Sequence, residues 1–180
     1  TFADVVRQAQ EAGYSEPDPR LDLSGRDVLR KLLILSREAG AEIDEADVDI
    51  SPILGPEFFS GKVPEFYEML AAHEADFAAS YRAAADKGLR QRFVASLVAE
   101  PVEVNADAAA AGAEVSRSAV RYKASMGLQT VGPDSPLYNL CGTDNAALIW
   151  TSFYPSPLVV QGAGAGAYQT ASGVLNDILM

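Results

Sequence analysis

Hydrophobic positions along the chain follow a helical rhythm first and a strand rhythm later. "TFADVVRQAQEAG" has helical spacing, with Thr1 and Asp4 placed for a capping box and Gly13 for the stop, and predicts a first helix. Residues 14–23 predict a stiff loop, because Pro17 and Pro19 force the residues before them out of helical conformation. From Ser24 to Gly40 the helical pattern returns, with Ser24 and Asp27 fitting a second capping box. At about 100° per residue, Val28, Leu29, Leu32, Leu33 and Leu35 make a broad apolar arc. Arg26, Arg30 and Arg37 flank it on one side; Asp27, Lys31 and Glu38 share the other, with Ile34 close by. Lys31 is expected one turn above Asp27, at the border of the buried face.

"AEIDEADVDISPILGPEFFSG" is interrupted by Gly and Pro and reads as a short strand or irregular connection. One long helix is expected over 64–87, with Phe66, Leu70, His73, Phe77, Tyr81 and Ala84 on a single stripe. The period then changes. "RQRFVASLVA" reads as a strand, and "AVRYKASMG" alternates, Val120, Tyr122, Ala124 and Met126 against Arg121, Lys123 and Ser125. "NADAAAAGAE" between them reads as a small-residue loop. "ALIWTSFY" and "PLVVQ" are two more strands, parted by Pro155 and Pro157, and "GAGAGAYQTASGVLNDILM" is a glycine-rich loop running into a last helix. Helices followed by consecutive strands predict an α+β fold: a mixed, largely antiparallel sheet covered by helices on one face.

Composition narrows the function. With 180 residues, 48% hydrophobic and 22% charged, the chain is an ordinary globular one, long enough for a real core. A net charge of −11 offers no basic face for nucleic-acid phosphates or an anionic membrane. A single cysteine, Cys141, cannot form an internal disulfide, which suits a reducing cytoplasm. No signal peptide and no membrane-spanning apolar run is visible. The chain opens in helical rhythm without an initiator Met and is expected to be a piece of a longer protein.

Several groups carry possible chemistry. Asp27 and Lys31 form either an ordinary i,i+4 surface pair or an acid–base lysine controlled by a carboxylate; spacing alone does not choose. Glu16, Asp18 and Asp22 on the proline-stiffened loop suit a substrate ammonium group, a hard metal ion or a merely solvated acidic turn. "GAGAGA" departs from the dinucleotide fingerprint, which requires glycine where Ala167 stands and a βαβ unit after it. It remains reasonable as one wall of a cofactor site completed elsewhere. His73, the only histidine, lies on an apolar stripe and reads as core or boundary. Cys141 lacks a nearby base, for which only His73 is available.

"AGYSEPDPRLDLSGRDVLRKLLILSREAG" resembles the signature of homoserine dehydrogenases, nearest the fungal form and the C-terminal part of bifunctional aspartokinase–homoserine dehydrogenases. "PLYNLCGTDN" and "PLVVQGAGAGAYQTASGVLNDIL" resemble the two later signatures, in the same order; through 41–112 only the layout agrees. The resemblance implies a substrate-binding and dimerisation domain like the C-terminal domain of glyceraldehyde-phosphate dehydrogenase, spanning 1–180. It implies interconversion of L-aspartate 4-semialdehyde and L-homoserine with NADP(H) or NAD(H), in threonine and methionine biosynthesis. By motif position Lys31 matches the proton-transferring lysine and Asp27 the aspartate beside it. Glu16 and Asp22 match carboxylates that hold the amino acid, and Gly13 and Gly166 match glycines near the nicotinamide cofactor; Asp18 belongs to the motif without a direct role. No metal is implied. The family's Rossmann domain precedes the first helix and is absent here, so the chain is expected to need it for catalysis.

Two other readings stay open. One is a non-catalytic dimerisation or ligand-sensing module of the same fold, against which the intact Lys31–Asp27 pair counts. The other is a thiol-dependent semialdehyde dehydrogenase relative, against which the lack of a Cys–His couple counts.

Overall fold

The computed structural model describes residues 1–101 and 120–179, so the small-residue loop expected at 105–114 lies outside the described residues. The chain forms two compact units: Thr1–Leu23, Gly55–Arg92 and Gln129–Met180 make the first, Ser24–Leu54 and Phe93–Leu128 the second.

In the first unit, α1 (Phe2–Glu11) starts as its sequence predicts. The Thr1 hydroxyl accepts the Asp4 N–H at 3.1 Å and donates to the Asp4 carboxylate at 2.6 Å. At its end Gly13 is left-handed (φ 73°); its N–H donates to the Gln10 carbonyl at 3.0 Å and the Tyr14 N–H to that of Ala9 at 2.9 Å. The short α2 (Arg20–Leu23) follows. The single helix expected over 64–87 is two, α4 (Val63–Ala72) and α5 (Glu74–Ala85), broken at His73. The break has partners: His73 Nδ1 lies 3.1 Å from the Met69 carbonyl, and its ring meets Phe58 edge-on at 5.1 Å. It also lets Glu74 accept the Phe2 N–H at 2.8 Å while Phe77 packs on Phe2 at 4.7 Å, joining α5 to the start of α1. Phe66 and Leu70 of α4 are fully buried, but Tyr81 of the expected stripe is exposed.

The unit also holds an antiparallel hairpin, β4 (Asp144–Ile149) with β5 (Leu158–Ala163), in register from Asp144 opposite Ala163 to Ile149 opposite Leu158. Leu158, Val159 and Val160 are exposed, and α6 (Ala167–Leu179) buries none of its residues.

The second unit packs α3 (Arg26–Glu38) on a three-stranded sheet ordered β1-β3-β2, with β1 Val48–Ser51, β2 Arg90–Pro101 and β3 Val120–Val131. The β1–β3 pair is parallel, Val48 opposite Ala124 and Ser51 opposite Gly127. Its core joins Leu29 and Leu32 to Val48, Ala124 and Met126, so the alternation of β3 does face the helix. The single sheet expected from the strand order is therefore two, because the turn-rich connection over 132–143 intervenes and β4 pairs with β5 alone.

Two details of α3 differ from expectation. Ser24 is not its N-cap: the helix starts from Gly25 at φ 73°, and the Ser24 hydroxyl accepts the Arg26 N–H at 3.3 Å. Packing decides this, since a Cβ on Gly25 would stand 2.8 Å from Met126 Cε and 3.2 Å from the Phe93 ring. The buried stripe is also narrower than the apolar arc. Leu35 is 61% exposed while Ser36 is buried, its hydroxyl donating to the Leu32 carbonyl at 2.7 Å.

Gly25→Ala is expected to lower unfolding stability by about 1–3 kcal/mol, through both the left-handed backbone and the lost space. Denaturant unfolding checks it; an unchanged midpoint would show that the helix start tolerates a side chain.

Candidate active site

The two carboxylate-bearing segments lie in different units. On α3, Lys31 Nζ stands 2.7 Å from Asp27 Oδ2, the predicted i,i+4 pair. Lys31 is not at the border of the buried face: its side chain is 54% exposed and that of Asp27 64%. The narrowing of the buried stripe to Leu29, Leu32 and Ser36 leaves Lys31 on the open side, where Ile34 and Leu35, three and four residues on, are exposed too.

In the first unit, loop 14–19 is fastened at several points. Pro17 presents its carbonyl to the Gln10 side-chain amide at 2.7 Å, and Pro19 is fully buried. The Glu16 N–H donates to one Asp22 oxygen at 2.9 Å. The other Asp22 oxygen and the whole Glu16 carboxylate have no hydrogen-bond or ion-pair partner among the described residues. These two residues therefore present anionic oxygens on a fixed backbone, the arrangement that recognises an ammonium group.

Asp18 is used differently. Arg20 grips it with two parallel bonds, Nε to Oδ1 at 2.8 Å and Nη2 to Oδ2 at 2.7 Å. The same guanidinium donates through Nη1 to the carbonyls of Gly61 at 2.9 Å and Ser60 at 3.2 Å. Its grip holds the Asp18 carboxyl below the usual carboxylate range, and Asp18 in turn raises Arg20 above its ordinary value. Asp18 and Arg20 thus tie the loop to residues 60–61. Only the Asp18-x-Arg20 spacing hints at this in the sequence; the carbonyl partners are forty residues away.

The glycines offer open backbone. Around Gly13 nothing lies within 4 Å of a Cβ position, and Gly166, at φ 125°, meets only the Gln169 side chain there. A flat ring fits against such backbone. A dinucleotide pyrophosphate does not find its usual cradle, because the preceding strand belongs to an antiparallel hairpin and not to a βαβ unit.

His73 and Cys141 form no couple: the histidine is occupied by Met69 and Phe58, and Cys141 is free and exposed. Among the described residues no group of three or more His, Cys, Asp or Glu converges to hold a metal ion. Among them, too, no helix is long and apolar enough to cross a membrane.

Each unit thus carries candidate groups of its own, the Lys31–Asp27 pair in one and the braced carboxylate loop with the glycine-rich helix start in the other, and comparison gives the family. The homoserine dehydrogenase family model matches residues 1–179, and the chain belongs to that family. It is 37% identical to the chloroplastic bifunctional aspartokinase/homoserine dehydrogenase 2 of Arabidopsis thaliana, over 99% of this chain and 18% of that one. It is 34% identical to the homoserine dehydrogenase of Saccharomyces cerevisiae, over 99% of this chain and 45% of that one. Among solved structures it resembles a Candida auris protein of unknown function, with TM-score 0.77 and 35% identity over 99% of this chain and 45% of that one. The chain thus spans less than half the length of these relatives.

The lowered Asp18 value has a consequence of definite sign. The stability this carboxylate adds is complete above the ordinary aspartate range of about 4 and is lost as pH falls through its depressed value. Asp18→Asn should therefore lower Tm at pH 7 and have little effect near pH 2, as read by scanning calorimetry. Equal losses at both pH values would deny the Arg20 pairing a role in stability.

Proposed function

We propose that this chain is the substrate-handling domain of an enzyme interconverting L-homoserine and L-aspartate 4-semialdehyde, a step of threonine and methionine biosynthesis. The observation that carries the reading is the Lys31–Asp27 pair at 2.7 Å within the motif that resembles the family signature. Glu16 and Asp22 hold the substrate ammonium group with the oxygens that the loop leaves unpaired. The nicotinamide cofactor, NADP(H) or NAD(H), exchanges the hydride when bound. Lys31 then gives a proton to the oxygen at the reduced carbon, and takes it from the hydroxyl in the oxidative direction. Asp27 keeps Lys31 oriented, and in the oxidative direction it is the neutral amine that accepts the hydroxyl proton. The open backbones of Gly13 and Gly166 contribute to the nicotinamide wall, and most cofactor contacts come from a dinucleotide-binding domain outside these 180 residues. The domain class is that of the glyceraldehyde-phosphate dehydrogenase C-terminal domain, and a reducing cytoplasm suits its exposed thiol.

Lys31→Ala is expected to lower kcat by about two to four orders of magnitude, the range of a general acid–base group, and KM for homoserine much less. Glu16→Gln and Asp22→Asn should instead raise that KM with Tm nearly unchanged. The 180-residue chain alone, with homoserine and NADP⁺, is the control without turnover. Near-normal kcat in Lys31→Ala would remove this lysine from the mechanism.

The domain also pairs with a second copy through the sheet surface formed after residue 89. The apolar Leu158, Val159 and Val160, exposed on β5, support this, since such a surface is an aggregation liability unless covered. Light scattering at micromolar concentration should give the dimer mass; a monomer would refute the pairing.

A further inference from the structure

"PLYNLCGTDN" has no part in the chemistry above, yet two arginines of β2 are spent on it. Arg92, partly buried, donates from Nε to the Leu137 carbonyl at 2.8 Å and from Nη2 to those of Tyr138 at 2.7 Å and Leu140 at 2.9 Å. Its Nη1 turns back to the Gln91 carbonyl at 3.0 Å. Arg90 adds a bond to the Tyr138 carbonyl at 2.9 Å and lies over the Tyr138 ring, 4.3 Å from its centre. The Tyr138 hydroxyl donates to the Gly88 carbonyl at 3.0 Å. A planar guanidinium that holds the loop carbonyls of Leu137, Tyr138 and Leu140 together fixes the curvature of the loop as no single bond does.

The far end of the same loop is locked to the glycine-rich segment. The Thr143 carbonyl accepts the Gly164 N–H at 2.7 Å. The Asn145 carboxamide occupies the place that a Cβ on Gly164 would take. Asp144, paired with Ala163, accepts the Gln161 side-chain amide at 2.9 Å. Hydrogen bonds at both ends, joined through the short chain segment Leu140–Cys141, therefore link Arg92 through residues 137–145 to the loop that ends at Gly166 and opens α6.

We propose that Arg92 is a positioning residue for the nicotinamide cofactor: by clamping residues 137–140 it fixes Thr143 and Asn145, and these set the backbone of the Gly162–Gly166 loop. This rests on the reading of Gly166 as part of the cofactor wall. The second motif then serves the third, and its effect falls on the cofactor and not on the amino acid.

The test measures Gly164 amide exchange in the 180-residue chain, and KM for cofactor and for homoserine in the enzyme that includes the dinucleotide-binding domain. Arg92→Lys keeps the charge but cannot span three carbonyls. It should speed Gly164 exchange about tenfold and raise the cofactor KM about five- to tenfold, with homoserine KM and kcat within about twofold. Gly164→Ala, which drives a methyl into Asn145, and Asn145→Ala, which removes one of the two residues that set this backbone, should each raise the cofactor KM likewise. This pair decides the matter if Arg92→Lys does not fold. Lower Tm with both KM values unchanged, or rising together, makes Arg92 merely structural and overturns the proposal. Gly166→Ala separates the two readings. If it raises the cofactor KM and Arg92→Lys does not, positioning by Arg92 fails while the cofactor wall stands; if it leaves the cofactor KM unchanged, the cofactor wall fails and takes the proposal with it.

Discussion

A loop that carries functional groups must still find partners for its own backbone carbonyls, and here two arginines meet that demand. Arg20 lies partly buried between the Asp18 carboxylate and the exposed carbonyls of Ser60 and Gly61. Arg92 does the same work for Leu137, Tyr138 and Leu140. Ser60 and Gly61 are exposed, so there the guanidinium chiefly fixes position; at the partly buried Leu137, Tyr138 and Leu140 it also supplies donors that water reaches less well. The guanidinium suits the task because its donors diverge in one rigid plane. Without it, the segment bearing Glu16 and Asp22 would lose its tie to residues 60–61 and keep its local fastenings, such as Gln10 on Pro17 and Glu16 on Asp22.

On α3 a different constraint operates. The helix is anchored by close packing at Gly25 and by the stripe of Leu29, Leu32 and Ser36, which turns the Lys31 side outward. The Lys31–Asp27 pair is thus presented from a helix whose opposite side is held by core, and this holds the lysine's backbone without burying its side chain. Asp27, freed from a capping role, has one salt-bridge partner, Lys31.

Features that depend on near neighbours were legible in the sequence. The Thr1–Asp4 box, the stop at Gly13, the β3 alternation and the Asp27–Lys31 spacing are all settled within a few residues. What was not legible depends on distant partners. Gly25 displaces Ser24 as cap because Phe93 and Met126 crowd it, some seventy and a hundred residues on. The helix breaks at His73 although the apolar period runs through it, because Glu74 and Phe77 answer to Phe2. The division into two sheets is a choice of strand partners, which periodicity does not express. Within the site, spacing marked which side chains could meet, and the family resemblance supplied their roles. The arginine clamps depend on distant carbonyls: the Asp18-x-Arg20 spacing hints at one, and nothing local distinguishes Arg92 from a solvated arginine.

The thirteen residues of α6 bury none of their side chains. A helix of that length without tertiary contacts is marginal in water, since few propagated bonds set against a costly first turn leave little net stability. Thr170, whose N–H and hydroxyl both reach the Gly166 carbonyl, reinforces its first turn only. The described part of the chain therefore gives this helix little burial to hold it. Whatever surface covers Val174, Leu175 and Ile178 sets the helical content there, and circular dichroism of this one segment becomes a measure of assembly.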